Sequence, residues 1–323
     1  QDGLRISERH GRMHSLGGPV GVRNNMRLSR GFKRPQAPRD ELVTVDGLSF
    51  HYRDWGGSDQ PMLLLHGLAS SCHIWDMVAP ILAEDHTVIA LDLRGHGESA
   101  KPNHGYDFAS VAQDVLGVIK HLGGAAPVVV GHSWGGSVAL ELAVRAPDSL
   151  KGMALIDGGM INTSARYSSV DDAKLEMSPP DFTGVKLEDF KERVRNRHQG
   201  AGMAPGSHEA VMANFEVLED GTIKARLTRL NHLQIIEALW DHHPTELYKQ
   251  VQCPVLIMPA RQESSATTQE RGQRRFMSVD EAEQQLPNSK TVWLDDCIHD
   301  VPIQRPELVA DLLASHVADG FFG

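Results

Sequence analysis

The segment VVVGHSWGGSVALELAV, residues 128–144, decides how the rest of the chain is interpreted. Three valines run into Gly131, Ser133 follows two positions later, and apolar residues at helical spacing begin directly after the glycines at 135 and 136. A run of β-branched residues is typical of a buried strand, and the later spacing is typical of a helix. The segment therefore predicts a strand, a very tight turn with Ser133 at its tip, and a helix.

Residues 131–135 match the pattern G-x-S-x-G, in which a serine on a strand-to-helix turn projects its hydroxyl from the edge of a sheet. Amides at the start of the helix then point toward that serine and stabilise negative charge beside it. A glycine-bounded turn whose serine merely caps the helix would show the same five letters. The strand before the motif and the helix after it favour the catalytic interpretation, and we predict Ser133 as a nucleophile.

Apolar runs and helical patterns alternate along most of the remaining chain. Residues 41–55 alternate apolar and polar side chains around an Asp-Gly pair, which predicts an antiparallel hairpin. Residues 107–123 predict a helix that is capped by Asp107 and stopped by Gly123. Strands buried on both faces of a parallel sheet are predicted at 61–67, 86–95, 126–132, 152–159, 253–260 and 290–296. This alternation predicts an α/β protein with a doubly wound, mostly parallel sheet.

The alternation breaks between two of these strands and divides the chain into segments. Residues 161–249 are polar and helix-rich, with one hairpin signal, so we expect a mainly helical cap inserted between strands 6 and 7. The core then comprises residues 41–160 and 250–323, and residues 1–40 form a basic N-terminal extension. Since the sequence begins with glutamine, we expect the true start to be missing or processed. The extension has no apolar run, so we expect no secretory signal.

Charge and composition narrow the classes of partner. The 323 residues carry a net charge of −10, but residues 1–39 carry +7 and the remainder −17. Because the residues after position 39 are strongly acidic, they would repel the phosphate backbone of a nucleic acid. No nucleic-acid partner is therefore expected. No apolar run is long enough to span a membrane, and three cysteines are too few for a disulfide framework. A cytoplasmic protein is predicted; the oligomeric state is left open.

The stretches HGLASS (66–71), DLRGHGES (92–99) and GHSWGG (131–136), with a late histidine, resemble the α/β-hydrolase superfamily, and in particular its serine esterases. The resemblance covers about residues 41–323 and implies an eight-stranded sheet and no cofactor. It also implies that the backbone amides of Leu68 and Trp134 form an oxyanion hole. Residues expected around the substrate are His66, Gly67, His132 and Trp240.

The base and the acid are predicted with unequal precision. His299 follows the last predicted strand and precedes a terminal helix, where the resemblance requires the catalytic histidine. Many relatives carry the acid in a G-x-x-D turn after the strand near 254–260, but this chain reads ARQE there, which leaves Glu263 as one candidate. Asp157, at the end of the strand after the Ser133 helix, is the other candidate and the preferred one.

These residues predict a serine hydrolase that cleaves a small-molecule carboxylic ester or lactone. Amide, carbon–carbon or perhydrolase chemistry with the same triad stays open, as does a ligand-binding or receptor-like member with little turnover. Because residue 133 is serine, the resemblance does not extend to epoxide hydrolases or haloalkane dehalogenases, which need a carboxylate nucleophile. His242 and His243 lack the companions of a metal motif, so no metal is expected.

Overall fold

The computed structural model describes residues 37–262 and 266–323, without the side chains of residues 266–271. Most of the predicted extension and Glu263 therefore lie outside the described residues. The strands are β1 (Arg39–Val45), β2 (Leu48–Asp54), β3 (Asp59–Leu65), β4 (His86–Leu91), β5 (Val128–His132), β6 (Gly152–Ile156), β7 (Phe215–Val217), β8 (Ile223–Ala225), β9 (Val255–Met258), β10 (Ala260–Arg261), β11 (Ser289–Thr291) and β12 (Leu294–Asp295). The helices are α1 (Ala79–Leu82), α2 (Phe108–Leu122), α3 (Trp134–Arg145), α4 (Val170–Met177), α5 (Leu187–Gly200), α6 (His208–Met212), α7 (Arg229–Asp241), α8 (Pro244–Leu247), α9 (Ala266–Gln285), α10 (Val301–Gln304) and α11 (Pro306–Ala318).

Eight of the described strands form one sheet in the order β1-β2-β4-β3-β5-β6-β9-β11. The pairs β1–β2 and β2–β4 are antiparallel, and every other neighbouring pair is parallel. The predicted eight-stranded, mostly parallel sheet is confirmed. Because parallel strands end at a common edge, the residues that follow β3, β5 and β6 lie close together there.

Local sequence signals explain where these elements begin and end. Asp46 and Gly47 both have positive φ, 49° and 80°, as a two-residue turn between twisted strands requires. The side chain of Asp107 accepts a hydrogen bond from the Ser110 amide and caps α2. Gly123 ends that helix with φ 66°. The predicted hairpin and the predicted helix at 107–123 are therefore both found.

Two apolar clusters cover the faces of the sheet. One cluster joins one set of strand side chains to α2 and α3, and the other joins the opposite set to α1 and α11. Helices on both faces make the sheet doubly wound, as predicted. The interior strands β5 and β6 have neighbours on both sides and are buried along their whole length, which explains their continuous apolar sequence.

The segment predicted to form a cap lies between β6 and β9, the sixth and seventh strands of the large sheet along the chain. Helices α4 to α8 and the β7–β8 hairpin occupy this part of the chain. Helices α4 and α7 pack on each other, and α6 packs on the turn that begins at Cys72. Among the residues described, no helix is both long and apolar enough to cross a bilayer. The limits 161–249 predicted for the cap remain a prediction.

Candidate active site

Ser133 occupies the tight turn between β5 and α3. Its backbone has φ 53° and ψ −120°, a conformation that costs a non-glycine residue of order 1–3 kcal/mol. The surrounding contacts hold it there, since its amide donates to the Ile156 carbonyl at 3.0 Å and its carbonyl accepts from the Gly136 amide at 3.0 Å. A Cβ on Gly158 would lie 2.1 Å from the Ser133 carbonyl oxygen, so this close approach requires glycine.

Ser133, His299 and Asp157 form one hydrogen-bonded chain. The Ser133 hydroxyl donates to His299 Nε2 over 2.9 Å, and His299 Nδ1 donates to Asp157 Oδ2 over 2.6 Å. The serine and the aspartate follow the neighbouring strands β5 and β6, while the histidine arrives on the loop after β12. The structure therefore brings together three of the residues that the sequence singles out.

Asp157 is the buried member of this chain, with 3% of its side chain exposed. Its Oδ1 accepts from the Ala260 amide at 3.1 Å, and its Oδ2 also accepts from Arg275 at 3.2 Å. Burial alone raises the pKa of this carboxyl. The hydrogen bond and charge of His299, together with Arg275 and the Ala260 amide, outweigh burial, and the pKa of Asp157 lies below its ordinary value.

His299 is half-exposed, with both ring nitrogens engaged in hydrogen bonds. Desolvation disfavours its charged form, but the hydrogen bond and charge of Asp157, with a contribution from Asp300, raise the pKa of His299 above the ordinary value. Two other side chains hydrogen-bond to the backbone of its loop. The His299 carbonyl accepts from His132 Nε2 at 2.8 Å, and the Ile298 amide donates to Gln304 Oε1 at 2.8 Å.

The predicted oxyanion donors lie on the two segments that meet at Ser133. A Cβ built on Gly67 would lie 3.0 Å from Ser133 Cβ, so the loop that contains Leu68 passes directly beside the serine. Trp134 is the first residue of α3, where the amide has no acceptor within the helix. Within residues 37–262 and 266–323, neither the Leu68 nor the Trp134 amide donates a hydrogen bond to another residue. Both are therefore unengaged donors at this edge of the sheet.

Two buried histidines hydrogen-bond to the loop that contains Leu68. His66 Nδ1 donates to the Gly67 carbonyl at 2.8 Å, and its Nε2 accepts from the Leu93 amide at 3.0 Å. His96 Nε2 accepts from the Ala69 amide at 3.2 Å. Burial lowers the pKa of both histidines, which keeps them neutral and able to accept these bonds. The structure thus engages both ring nitrogens of His66, predicted beside the substrate, with backbone groups.

His132 and Trp240, both predicted beside the substrate, lie outside the lining of the cavity described below. His132 is buried beneath His299, and burial and the nearby imidazole lower its pKa to about 4. Its contact with the His299 carbonyl shows what it does in this structure: it supports the loop of the histidine. Trp240 lies half-buried near the end of α7 and does not line the cavity under the cap. Substrate contact by His66, Gly67, His132 and Trp240 stays a prediction.

A cavity of about 660 Å³ lies between the segment predicted as a cap and the loops that contain Ala69 and His299. Its floor includes Ala69 and Ser70, which follow Leu68, and Ile298 and Asp300, which flank His299. The cap side is mostly apolar and carries arginines on α5 and after β8: Phe182, Phe190, Phe215, Met177, Met203, Val194, Leu227, Arg193, Arg197 and Arg226. Its volume is typical of small-molecule pockets.

His51, Cys72 and Asp92 are buried with ligand atoms within 4.8 Å of one another, close enough to hold a metal ion. The Asp92 carboxylate instead accepts from His51 Nδ1 at 2.8 Å, from the Cys72 amide at 2.7 Å and from the Glu98 amide at 3.0 Å. Burial raises the pKa of Asp92, but these bonds outweigh it and hold the pKa well below its ordinary range. This cluster ties the loops after β3 and β4 to strand β2, which carries His51.

Sequence reasoning missed two groups that the structure places at the site. Arg275, on α9, contacts Asp157 across 118 positions, and no local pattern marks it out. His96 could have been found, because it belongs to the quoted motif DLRGHGES, whose loop must lie beside the neighbouring strand end. Glu263, the alternative acid, falls outside the described residues, so its comparison with Asp157 stays open to experiment.

The fold and the site define a protein with a serine on a strand–helix turn, a histidine on a late loop and a buried acid at the edge of a parallel sheet. Residues 60–214 match the family described as alpha/beta hydrolase fold. A solved structure, E-2-(acetamidomethylene)succinate hydrolase, superposes with a TM-score of 0.67 at 22% identity, over 87% of this chain and 99% of that one. The chain belongs to the α/β-hydrolase superfamily.

Relatives by sequence carry several hydrolase names. A soluble epoxide hydrolase from Corynebacterium sp. (strain C12) is 43% identical over 113 residues, which is 35% of this chain. That alignment spans only 39% of the epoxide hydrolase. The bifunctional esterase/perhydrolase DCH from Acinetobacter calcoaceticus is 28% identical over 284 residues, covering 84% of this chain and 98% of that protein. Similarity is thus high over a short segment and lower over nearly the whole length.

Proposed function

We propose that this protein is a serine hydrolase that cleaves a carboxylic ester or lactone through an acyl-enzyme on Ser133. The observation that carries the proposal is the chain of hydrogen bonds from the Ser133 hydroxyl through His299 to Asp157, at 2.9 and 2.6 Å. A hydroxyl becomes a competent nucleophile when an adjacent base accepts its proton and a third group orients that base. The three residues supply these three roles.

Acylation begins with attack of Ser133 Oγ on the ester carbonyl carbon while His299 Nε2 takes the hydroxyl proton. The carbonyl oxygen becomes an oxyanion, and the unengaged amides of Leu68 and Trp134 stabilise it. Collapse of the tetrahedral intermediate breaks the bond to the alkoxy oxygen, which takes the proton from His299 and leaves as the alcohol. Asp157 stabilises the imidazolium and fixes the tautomer without taking the proton itself.

Deacylation repeats the sequence with water. His299 removes a proton from the water as it attacks the acyl carbon, and Ser133 leaves with that proton restored. The products are the carboxylic acid and free enzyme, and no cofactor takes part. A raised pKa of His299 makes it a stronger base toward both the serine and the water, at the cost of a smaller neutral fraction at low pH.

The cavity under the cap supports a substrate with a substantial apolar part. Its cap side is lined by phenylalanines and methionines, and its floor reaches the residues that flank His299. Apolar surface buried there contributes about 25 cal/mol per Å², enough to favour a larger acyl or alcohol group over acetate. The substrate is therefore an ester of a medium-sized apolar acid or alcohol.

Perhydrolysis is the second candidate, and the relative named esterase/perhydrolase, which aligns over 84% of this chain, favours it. The same acyl-enzyme would react with hydrogen peroxide in place of water. The peroxide oxygen attacks the acyl carbon, Ser133 leaves with a proton, and a peracid forms. Epoxide opening is less well supported despite the local similarity, because a serine at position 133 does not give the alkyl-enzyme ester that a carboxylate forms.

A fluorophosphonate probe tests the proposal. Covalent labelling that disappears in Ser133→Ala, together with hydrolysis of p-nitrophenyl esters from C2 to C8, is expected. An absence of labelling and of ester turnover would favour a ligand-binding member of the superfamily and overturn the proposal. Turnover of styrene oxide that survives in Ser133→Ala would overturn it too, since the nucleophile would then be another residue.

A further inference from the structure

Arg275 contacts the Asp157–His299 pair from a separate helix. Its Nη2 donates to Asp157 Oδ2 over 3.2 Å, and its Nη1 donates to the Ala260 carbonyl over 2.5 Å. The Ala260 amide in turn donates to Asp157 Oδ1 at 3.1 Å. The guanidinium thus spans the aspartate and the strand residue beside it, while 40% of the Arg275 side chain remains exposed.

Arg275 also affects the electrostatics of the Asp157–His299 pair, because its guanidinium is positively charged. Asp157 Oδ2 accepts from both His299 and Arg275, so two donors share one carboxylate oxygen. A cation on that oxygen draws electron density and Coulombic attraction away from the histidine. With only His299 as its charged partner, the carboxylate would favour the imidazolium more strongly.

We propose that Arg275 is a positioning residue for the Asp157–His299 pair, which fixes the carboxylate by a two-point contact and weakens its hold on the His299 proton. This inference rests on the proposed function, because it assigns Arg275 to the base of that reaction. Arg275 opposes the effect of Asp157 on the pKa of His299 and also helps to keep Asp157 ionised. Within the part of the chain that the structure describes, Asp300 on the same loop and His132 beneath the ring also face His299.

An intermediate basicity suits a histidine that acts as a general base. A base that is too easily protonated is inactive near neutral pH, and one that is too weakly basic removes the serine proton slowly. Asp157 is buried and makes a short bond to His299, which favours the charged ring. Arg275 offsets part of that effect without entering the cavity described under the cap, whose lining does not include it.

Two substitutions separate the charge of Arg275 from its hydrogen bonds. Arg275→Gln removes the charge and keeps an amide donor, whereas Arg275→Lys keeps the charge and loses the planar fork. Arg274→Gln, at an exposed neighbouring position on the same helix, is the matched control. The readout is the pH titration of the His299 imidazole by NMR, assigned with His299→Asn and recorded in a Ser133→Ala background as well as in the active protein.

Arg275→Gln is expected to move the His299 titration to higher pH, while Arg275→Lys and Arg274→Gln leave it nearly unchanged. The kcat/KM of Arg275→Gln should then fall about threefold or more at pH 6 and recover by pH 9. An unchanged or downward titration in Arg275→Gln, or an equal loss of kcat/KM at every pH, would overturn the inference. Because the NMR titration needs no turnover, an inactive protein would refute the proposed function and still leave the role of Arg275 measurable.

Discussion

The Asp157 carboxylate lies 2.6 Å from the Nδ1 atom of His299, although the two residues are 142 positions apart in the sequence. The contact arises because Asp157 directly follows β6, which pairs with the strand that carries Ser133 into its turn. A second link supports it, since the Ser133 amide donates to the carbonyl of Ile156, the residue before Asp157. Ser133 and Asp157 are therefore positioned by adjacent strands of one sheet.

The first prediction concerns the acid. Asp157→Asn should lower kcat by several powers of ten, because an amide at this position favours the wrong imidazole tautomer. In a serine protease the same replacement costs about 10⁴ in kcat. Glu263→Gln is the matched control and should lower kcat less than about tenfold. Steady-state kinetics on one ester decides between them, and the reverse ranking would move the acid to Glu263.

The second prediction concerns the nucleophile. Ser133→Ala should lower kcat more than about a thousandfold, since removal of one member of such a triad normally costs at least that. The melting temperature should change little, because the side chain is small and alanine keeps the same strained backbone conformation. Residual kcat above a thousandth of the wild-type value would show that another residue carries the chemistry.

The third prediction is the pH dependence of kcat/KM. His299 must be neutral to accept the serine proton, and its pKa is raised because the hydrogen bond and charge of Asp157 outweigh burial. Activity should therefore increase with pH through a midpoint above the ordinary histidine value. Asp157→Asn, measured at its residual rate, should move that midpoint to lower pH. A flat profile between pH 5 and 9, with chemistry rate-limiting, would contradict His299 as the base.

The alternation of apolar runs and helical patterns was sufficient to predict the sheet and the helices that cover its two faces. Strand ends were less well predicted: the run at 290–296 forms β11 only as Ser289–Thr291, and the pair Leu294–Asp295 belongs to a separate small sheet. Short edge strands depend on pairing partners that a local pattern does not contain. Only the interior strands are buried on both faces, so only they show a continuous apolar run in the sequence.

Site residues could be predicted where a short sequence motif specifies a local backbone conformation. Ser133 lies in a five-residue pattern that requires glycine on both sides, and His299 lies at a recognisable place in chain order. Arg275 is different, because long-range contact between a helix and a strand end leaves no periodic signal. His132 was predicted beside the substrate, yet its ring is buried and bonded to the His299 carbonyl, which only the fold reveals.

The fourth prediction concerns metal dependence. EDTA should leave kcat/KM unchanged, since the proposed reaction uses no ion and Asp92 is fully engaged with His51 and two backbone amides. Asp92→Ala should lower the free energy of unfolding by about 3 kcal/mol, because buried donors lose their acceptor. Glu84→Ala, an exposed acid, is the control in the same denaturant titration. Strong inhibition by EDTA, restored by a divalent ion, would make the buried cluster a metal site.

The fifth prediction concerns the packing that keeps Ser133 in its strained turn. A methyl group on Gly158 would lie 2.1 Å from the Ser133 carbonyl oxygen and 2.6 Å from its nitrogen, and backbone atoms cannot rotate aside. Gly158→Ala should therefore lower the free energy of unfolding by about 3 kcal/mol. It should also reduce kcat in the protein that remains folded, since relief of the clash displaces the nucleophile from His299.

Gly200→Ala is the matched control for this substitution. A Cβ at that position meets no atom within 4 Å, and the residue ends α5 in the cap, away from the turn at Ser133. Alanine also favours the helical conformation, so stability should stay equal or increase slightly. Thermal unfolding and ester kinetics on both variants make the comparison. If Gly158→Ala matched the control in melting temperature and in kcat, the close approach of the β6 end to Ser133 would not be what holds the nucleophile in place.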